Sequence, residues 1–207
     1  MSNTTGARAT TQRFTALISP HALLILLPDP ITCFTAASYS QTQTFRLEDP
    51  NASLVLLDWF TSGRMARGEQ WDFERYRSVN EIWLGKRRIA RDIMLLEQPS
   101  PTALPIPLPE RPLKDRLAPY ACYATLFLFG PLVQPCIASL RPAYDAISQM
   151  QAPQPAPLIW SLTSLQGGVV LRVAGKETEL VRNWLRGALS GMKDVIGVDA
   201  YNTAFTT

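Results

Sequence analysis

The sequence predicts a mainly β protein with added helices, of the α+β class. From His21 to Leu96, short apolar or alternating runs are separated by turn signals, which is the pattern of closely spaced strands. A second strand pair and an amphipathic helix follow in the C-terminal half. With 207 residues, of which 46% are hydrophobic and 18% are charged, the chain is long enough to bury one core.

The N-terminal half is predicted to be β-rich over residues 13–97, after a disordered lead-in over residues 1–12. HALLILLPDP is an apolar run that a Pro-Asp-Pro turn ends, TQTFRLE alternates polar and apolar residues, and ASLVLLDWF is a largely apolar strand. RYRSVNEIWL and RRIARDIML flank Gly85-Lys86, so these two segments are predicted to form a hairpin.

Residues 98–119 contain too many prolines for a helix or a central strand, and they are predicted to be a semi-rigid linker or surface loop. Their P-x-x-P spacings also fit an SH3-type ligand, although a plain linker is the simpler interpretation. The apolar stretch ACYATLFLFGPLV, which begins at Ala121, is too short for a membrane span and is predicted to be a buried helix.

Residues 120–207 are predicted to hold helices and strands, within a single domain that covers residues 13–207. LIWSLTSLQGGVVLRVAG predicts a strand pair that turns at Gln166-Gly167-Gly168. ETELVRNWLRGALSGMK predicts an amphipathic helix with Gly191 as its C-terminal stop. One face of that helix carries the apolar residues Leu180, Val181, Trp184, Leu185 and Ala188.

Composition argues against several classes of function. The net charge of +3 and a single short basic cluster at residues 86–88 do not favour nucleic-acid binding. Three distant cysteines and one histidine, His21, predict neither a disulfide framework nor a tight zinc site, and they indicate a reducing compartment. Because no signal peptide or membrane span is predicted either, the expected location is the cytoplasm.

The segment DWFTSGRMARGEQW, residues 58–71, is the densest group of candidate functional residues. Gly63 and Gly68 have the spacing of a phosphate-binding loop, but an acidic residue and a glutamine stand where that loop needs lysine and a hydroxyl, which excludes a nucleotide site. Asp58, Glu69 and Asp72 are candidate carboxylates for acid–base catalysis, yet no nucleophile or partner histidine accompanies them.

The purely structural interpretation of this segment is a corner in which Arg64 and Glu69 form an ion pair across a turn. Aromatic residues crowd around these charges, namely Trp59, Phe60, Trp71, Phe73 and Tyr76. Aromatic residues beside arginines are typical of protein–protein contact cores, and they are equally typical of packing against a turn. The residues alone leave both interpretations open.

Residues 58–73 closely resemble the D-W-x-T-x-G-R-x-A-R-G-E-x-W-x-F signature of the urease accessory protein UreD (UreH) family. The matching residues are Asp58, Trp59, Thr61, Gly63, Arg64, Ala66, Arg67, Gly68, Glu69, Trp71 and Phe73. Softer similarities extend from about Thr11 onward through ALLILLPDPITCFTAASYSQ, EIWLGKRRIARDIMLL with its Asp92, GGVVLRVAGKETELVRNWL and IGVDAYNTAF. The resemblance therefore covers most of the chain.

The resemblance implies a β-helical, solenoid-like body with C-terminal helical elements. It also implies a non-enzymatic chaperone that helps insert nickel into apo-urease, in a complex with a UreF-type protein and a UreG-type GTPase that can form a dimer of complexes. Nickel would be in transit, with no cofactor of the chain's own, no catalytic residue, and no nucleic-acid or membrane partner. Carboxylates and backbone oxygens, which bind and release divalent ions, suit such transit.

The resemblance transfers only a limited set of residues, and no stable metal site is assigned. The candidates for the nickel path or for partner contacts are Asp29, Asp58, Arg64, Arg67 and Glu69. The residues expected to hold the structure of the motif are Trp59, Gly63, Gly68, Trp71 and Phe73.

Two departures from the family pattern affect the expectations. Family members have a further N-terminal β-rich segment that this sequence lacks, so an exposed sheet edge and poor solubility are expected. Residues 98–119 are longer than the family needs and are treated as an insertion. Two other functions stay open, namely a truncated β-rich adaptor without nickel delivery and, remotely, a hydrolase that uses Asp58 and Glu69.

Overall fold

A computed structural model describes residues 9–99, 111–147 and 155–205 and builds them into two β-sheets with a layer of helices. The strands are β1 (Thr10–Ile18), β2 (Leu23–Leu26), β3 (Ile31–Thr32), β4 (Ser38–Leu47), β5 (Ser53–Thr61), β6 (Arg75–Leu84), β7 (Arg87–Glu97), β8 (Cys122–Phe129), β9 (Leu158–Leu165) and β10 (Gly168–Gly175). The helices are α1 (Leu113–Leu117), α2 (Gln134–Asp145), α3 (Thr178–Ala188), α4 (Lys193–Ile196) and α5 (Val198–Thr203). None of the helices in these ranges is long and apolar enough to cross a membrane.

The chain alternates between the two sheets until it reaches β6. Sheet A has the strand order β1-β4-β6-β7, and sheet B has the order β2-β5-β8-β10-β9, with β3 paired to β5. Because the chain returns to each sheet after passing through the other, β1, β4 and β6 are parallel neighbours, as are β2 and β5. The later strands pair in antiparallel fashion, through the hairpins β6–β7 and β9–β10 and through β8, which lies between β5 and β10.

Sheet B is the middle layer, so its central strands are buried on both faces. On β5, Leu54 and Leu56 pack towards sheet A, whereas Val55 and Leu57 pack towards the helices. The core between the sheets contains Ile18, Phe45, Leu47, Ala52, Leu54, Leu56, Ile82, Ala90, Phe127, Phe129 and Val170. The helix-side core includes Val55, Leu57, Leu126, Leu128, Cys136, Ile137, Val169, Leu171, Val181 and Leu185. A third, mostly aromatic cluster closes one end, with Cys33, Phe60, Trp71, Phe73, Tyr76, Leu96 and Leu113.

The strand-rich composition, the C-terminal helices and both predicted hairpins are confirmed. The turn at Gly85-Lys86 joins β6 to β7, and the turn that begins at Gln166 joins β9 to β10. Helix α3 is confirmed as amphipathic, because Val181, Leu185 and Ala188 are buried on one face. Leu180, which is predicted on the same face, is 36% exposed and lies at its margin.

The prediction of a buried helix after Ala121 is wrong. The apolar stretch forms β8 over Cys122–Phe129, and the predicted helix begins only at Gln134 with α2. Strand β8 separates two cores and presents an apolar side chain to each, so the alternation that marks an ordinary strand is absent. A fully buried strand and a buried helix are therefore alike in sequence over such a short run.

Three smaller predictions need correction. Strand β1 begins at Thr10, so the predicted lead-in is too long, and residues 1–8 lie outside the described part. The Pro-rich stretch contains a short helix, α1, whose Leu113 is fully buried, while residues 100–110 lie outside the described ranges. Gly191 does not stop α3, which ends at Ala188. A Cβ at Gly191 would lie 3.1 Å from the Cys136 sulfur, so this residue packs closely on α2.

Candidate functional site

Asp58 is the one charged residue of β5, and its side chain lies between the two sheets. Every second side chain of β5 faces sheet A. Among these, Leu56 belongs to the core between the sheets and Phe60 belongs to the aromatic cluster, so Asp58 lies between two apolar groups. Its side chain is only half-buried, whereas the residues on either side of it are buried. A carboxylate in such a position needs polar partners.

Three neutral side chains from sheet A supply those partners. Gln41 Nε2 donates to Asp58 Oδ1 at 2.7 Å, while Ser78 Oγ and Asn80 Nδ2 donate to Oδ2 at 2.5 and 2.6 Å. Gln41, Ser78 and Asn80 are themselves buried. The carboxylate is thus held by three hydrogen bonds and by no cationic side chain among the described residues.

Burial and hydrogen bonding change the pKa of Asp58 in opposite directions. Burial raises the pKa of its carboxyl above the ordinary value, the hydrogen bonds from Ser78, Asn80 and Gln41 lower it, and the nearby charge of Asp92 raises it again. The net direction is upward, so this carboxyl releases its proton less readily than an exposed aspartate. Carboxyls with a shifted pKa occur at functional sites as well as in structural networks, so Asp58 is a candidate functional residue.

The polar environment of Asp58 continues across the whole space between the sheets. Side chains that face the space between the sheets come from six strands, namely β4, β5, β6, β7, β8 and β10. Along each of these strands, taken from the same end of the molecule, the inward-facing residues are first apolar and then polar, and the polar residues of neighbouring strands lie side by side. On every strand except β10, the inward-facing residues that follow lead into the aromatic cluster. We call this polar group the polar belt, and its residues are Gln41, Gln43, Asp58, Ser78, Asn80, Asp92, Thr125 and Arg172. The strand register explains the alignment, since Asp58 pairs with Thr125, and Thr125 pairs with Arg172.

At one end the polar belt opens into a cleft. Arg172 Nη2 on β10 donates to Asp92 Oδ1 on β7 at 2.6 Å, and this ion pair joins the two sheets where their outer strands diverge. A cavity of about 350 Å³ lies beside the ion pair, lined by Phe60, Met94, Tyr123, Ala124, Thr125, Ile159, Trp160, Ser161, Arg172, Val173 and Ala174. Thr125 and Arg172 belong to both the cavity and the belt, so the cleft leads to the polar interior.

At the other end the belt reaches the surface through β1. The Tyr39 hydroxyl donates to Gln41 Oε1 at 3.3 Å and to Gln12 Oε1 at 2.8 Å, and Gln12 is exposed. In the middle of the belt, Asn80 Oδ1 is buried and accepts no hydrogen bond from the described residues. The belt therefore offers carboxylate, amide and hydroxyl oxygens along a line between two sides of the molecule.

The glycines of the DWFTSGRMARGEQW segment shape a corner that follows β5. Gly63 has φ of +132°, and a Cβ there would come within 2.8 Å of the Glu69 carbonyl oxygen. Gly68 has φ of +75° and ends a single 3₁₀ turn. The corner closes when Trp71 N donates to the Ser62 carbonyl at 2.6 Å. The motif glycines thus have a backbone role in this corner.

Arg64 and Glu69 form the predicted ion pair across this corner, which is confirmed. Two hydrogen bonds join the guanidinium to the carboxylate, one of them from Nε to Oε2 at 2.8 Å, and the arginine stacks 4.2 Å above the Phe34 ring. The hydrogen bond from Arg64 lowers the pKa of Glu69. Arg67 is exposed in the 3₁₀ turn.

The aromatic residues of the motif pack inside the molecule. Trp71 and Phe73 are 1% exposed and stack edge-on, and Tyr76 is fully buried against Phe60. Trp59 packs on the helix side, where its Nε1 donates to the Pro28 carbonyl at 2.7 Å. Within this chain the geometry favours the structural corner over a contact surface for another protein.

The structure does not bring the predicted carboxylates together. Asp58 lies in the polar belt and Glu69 in the corner, and no hydrogen bond or ion pair between described residues joins them. Asp29 is exposed beside a small cavity on the helix side of sheet B, next to Trp59 and Phe205. A glycosidase that works through a pair of carboxylates needs both of them beside the scissile bond, so this arrangement gives no support to the hydrolase alternative.

No metal cage stands out in the described part of the chain. There, no three His, Cys, Asp or Glu side chains are grouped closely enough to hold an ion. The three cysteines are free and buried, and burial raises the pKa of Cys33 to about 11 and that of Cys122 to about 12. Protonated thiols are poor metal ligands. Oxygen atoms of the polar belt are the remaining candidates for contact with a cation.

Comparison with known proteins decides the family. The family described as UreD urease accessory protein matches residues 2–204. This chain belongs to the UreD family. Urease accessory protein 4 of Cryptococcus neoformans var. grubii is 36% identical over 91% of the chain, and urease accessory protein D of Arabidopsis thaliana is 34% identical over 95%. UreD of Sorangium cellulosum is 36% identical over 92%.

The chain matches only part of these relatives. It spans 61% of the Cryptococcus protein, 71% of the Arabidopsis protein and 56% of the Sorangium protein. The resemblance to the UreD family that the sequence indicates is thereby confirmed. Sequence reasoning missed the polar partners of Asp58, although Gln41 and Gln43 share the strand face of Phe45, which is a detectable signal of a polar position inside a core.

Proposed function

We propose that this chain is a non-enzymatic accessory subunit for urease maturation and that nickel ions pass along its polar belt towards apo-urease. Membership in the UreD family and the names of its relatives support the first part. The observation that carries the second part is the half-buried Asp58 carboxyl, held by neutral donors between two apolar cores and connected to an open cleft. Nickel is cargo in this proposal, not a resident cofactor.

The chemistry of the belt suits transit better than storage. Asp58 and Asp92 supply negative charge, and Asn80 Oδ1 is an acceptor without a partner among the described residues. Oxygen ligands bind a divalent first-row ion less tightly than imidazole or thiolate, so the ion can leave again. Arg172 already pairs with Asp92 and competes with an incoming cation for that carboxylate, which also favours release.

Among the candidates from the motif, this proposal assigns the ion path to Asp58 rather than to Glu69. Glu69 is already neutralised by Arg64 at the corner, and Asp29 lies on the opposite, helix-facing side of sheet B. Arg64 and Arg67 are then left for the corner and for partner contacts. The roles of Asp58, Glu69 and Asp29 can be tested separately, because the three carboxylates lie in different parts of the structure.

The wider assembly is part of the same proposal. A UreF-type protein, a UreG-type GTPase and apo-urease are the expected partners in the cytoplasm, in complexes that can dimerise. The strands before β7 are proposed to be coils of a β-helical body, because they alternate between two sheets and pair in parallel. The named relatives are longer than this chain, which spans 61% of the Cryptococcus protein and 56% of the Sorangium protein.

The decisive experiment is urease activation in cells that lack their own UreD. Asp58→Asn should reduce activation about tenfold or more if this carboxylate contacts the ion, a loss of the size that perturbed metal sites show. Glu69→Gln should retain most activation, and Asp72→Asn, the same change as Asp58→Asn at an exposed carboxylate, is the matched control. Nickel content of urease and soluble amounts of each variant are measured together.

The outcomes separate the proposals. Full activation by Asp58→Asn would refute a role for this carboxylate in the ion path, whatever the family function. A co-expression pull-down with a UreF-type partner, with and without an upstream family-like N-terminal segment, tests docking independently. Capture of the partner without any urease activation by the unmodified chain would favour the adaptor that does not deliver nickel.

A further inference from the structure

The outer edge of sheet B, formed by β9, has a row of backbone groups without strand partners. Lys176 N donates to the Pro157 carbonyl at 2.9 Å, and Leu158 pairs with Gly175 in the register of β9 and β10. In an antiparallel pair, hydrogen-bonded positions alternate. Residues 159, 161, 163 and 165 therefore bond to β10, and four residues direct their N–H and C=O groups outward, namely Leu158, Trp160, Leu162 and Ser164. Within the described ranges no strand pairs with these groups.

This edge lacks the features that usually prevent strand addition. Natural edge strands carry charges, prolines or bulges that block pairing with another chain. On the same side of the molecule, the outer strand of sheet A, β7, has the sequence RRIARDIMLLE, with five charged residues among eleven, and its pairing with β6 has a bulge. Strand β9, LIWSLTSL, has eight residues with no charge and no proline. The difference marks β9 as an edge suited to pairing.

The sequence of β9 is complementary to itself in one antiparallel register. If two copies pair about Leu162, the residues whose backbone groups point outward occupy the hydrogen-bonded positions. Leu162 then lies opposite Leu162 of the second copy, and Trp160 lies opposite Ser164. Ile159, which is 46% exposed, then lies opposite Leu165 of the second copy, which is 37% exposed. Ser161 lies opposite Thr163. Each of these cross-strand pairs lies on the same face of the sheet, as pairing requires.

We propose that two copies of this chain associate through their β9 strands, antiparallel and centred on Leu162, to join their two B sheets into one. The arrangement is isologous, because both copies contribute the same strand and each pair, such as Ile159 with Leu165, occurs twice about the axis at Leu162. It covers Ile159 and Leu165 with apolar partners and satisfies the outward backbone groups. This inference is independent of the proposed function in nickel transit.

Paired charges on exposed positions of β9 test the register. Ser161→Lys/Thr163→Lys places like charges opposite each other in the paired strands, twice by symmetry, and should convert the dimer to a monomer in sedimentation velocity. Ser161→Lys/Thr163→Glu places lysine opposite glutamate and should restore the dimer. Both positions are exposed, so neither variant removes a core side chain. Circular dichroism of both variants checks that the fold is retained.

Cross-linking provides a second measurement, because a disulfide traps the paired state. A mixture of Ser161→Cys and Thr163→Cys chains, carrying different tags, should form a mixed disulfide on oxidation, and Ser161→Cys alone should form much less. The native cysteines are buried, so the parent chain is the blank. A strictly monomeric parent chain, a dimer that survives the double lysine variant, or cross-linking by Ser161→Cys alone would each overturn the proposal. Protection of β9 from hydrogen exchange only after a UreF-type partner is added would do the same and assign the edge to that partner.

Discussion

Replacement of each motif glycine by alanine gives a matched pair of variants with different expected costs. Gly63 and Gly68 both have positive φ, at +132° and +75°, but their surroundings differ. At Gly68 no heavy atom lies within 4 Å of the position that a Cβ would take, so Gly68→Ala should cost only the left-handed penalty of about 1–2 kcal/mol. At Gly63 the Cβ would overlap the Glu69 carbonyl oxygen at 2.8 Å, in a backbone region that is almost exclusive to glycine.

The expected loss for Gly63→Ala is therefore larger. The backbone conformation contributes about 1–3 kcal/mol, and the overlap with backbone atoms adds about 1–3 kcal/mol. Urea unfolding of the two variants and the parent chain should show midpoints in the order parent, Gly68→Ala, Gly63→Ala, with unchanged slopes. Equal midpoints for the two variants would refute the argument that close approach of Gly63 to Glu69 holds the corner together.

Three further predictions concern the belt, the core and the corner. Burial raises the pKa of Asp58 in the folded chain, so its contribution to stability is full below the ordinary aspartate pKa of about 4 and is lost as pH rises through the raised value. Asp58→Asn should flatten that decline in the free energy of unfolding, and an unchanged pH profile would contradict the assignment. Leu126→Ala, in a fully buried position, should cost about 2–5 kcal/mol, whereas Leu17→Ala, 64% exposed, should change stability by less than about 0.5 kcal/mol in the same denaturant titration. Glu69→Gln should lower the melting temperature slightly, and the loss should shrink in high salt because the pair with Arg64 is partly exposed; a loss that salt does not change would argue for a different contact.

The local elements of this fold are predictable where one face of a strand or helix meets water. The β6–β7 hairpin and helix α3 alternate between buried and exposed residues, and the sequence predicts the hairpin with nearly correct limits and the helix with a nearly correct start. Strand β8 is not predictable in this way, because both of its faces are buried and the run CYATLFLF has no alternation to measure. Residues that are buried on all sides carry little information about secondary structure in their own sequence.

The candidate site is predictable only in part for a related reason. Asp58 stands out because it belongs to a recognisable motif, and the Arg64–Glu69 pair is expected from its short separation in the chain. The polar belt depends on strand register between distant segments, since Asp92 and Arg172 are 80 residues apart when they pair. Local patterns in a single sequence do not specify such long-range register.

The position of β8 between β5 and β10 has a consequence for the order of events during synthesis. Leu54 of β5 cannot pair with Phe129 of β8 until the ribosome has synthesised the residues between them. At roughly 5–20 residues per second, this synthesis takes on the order of 4–15 s. During that interval β5, a largely apolar strand of sheet B, has one unpaired edge and an uncovered face. The nascent chain, more than the finished molecule, is thus the form most exposed to aggregation, and the last strands made are the ones that shield the first.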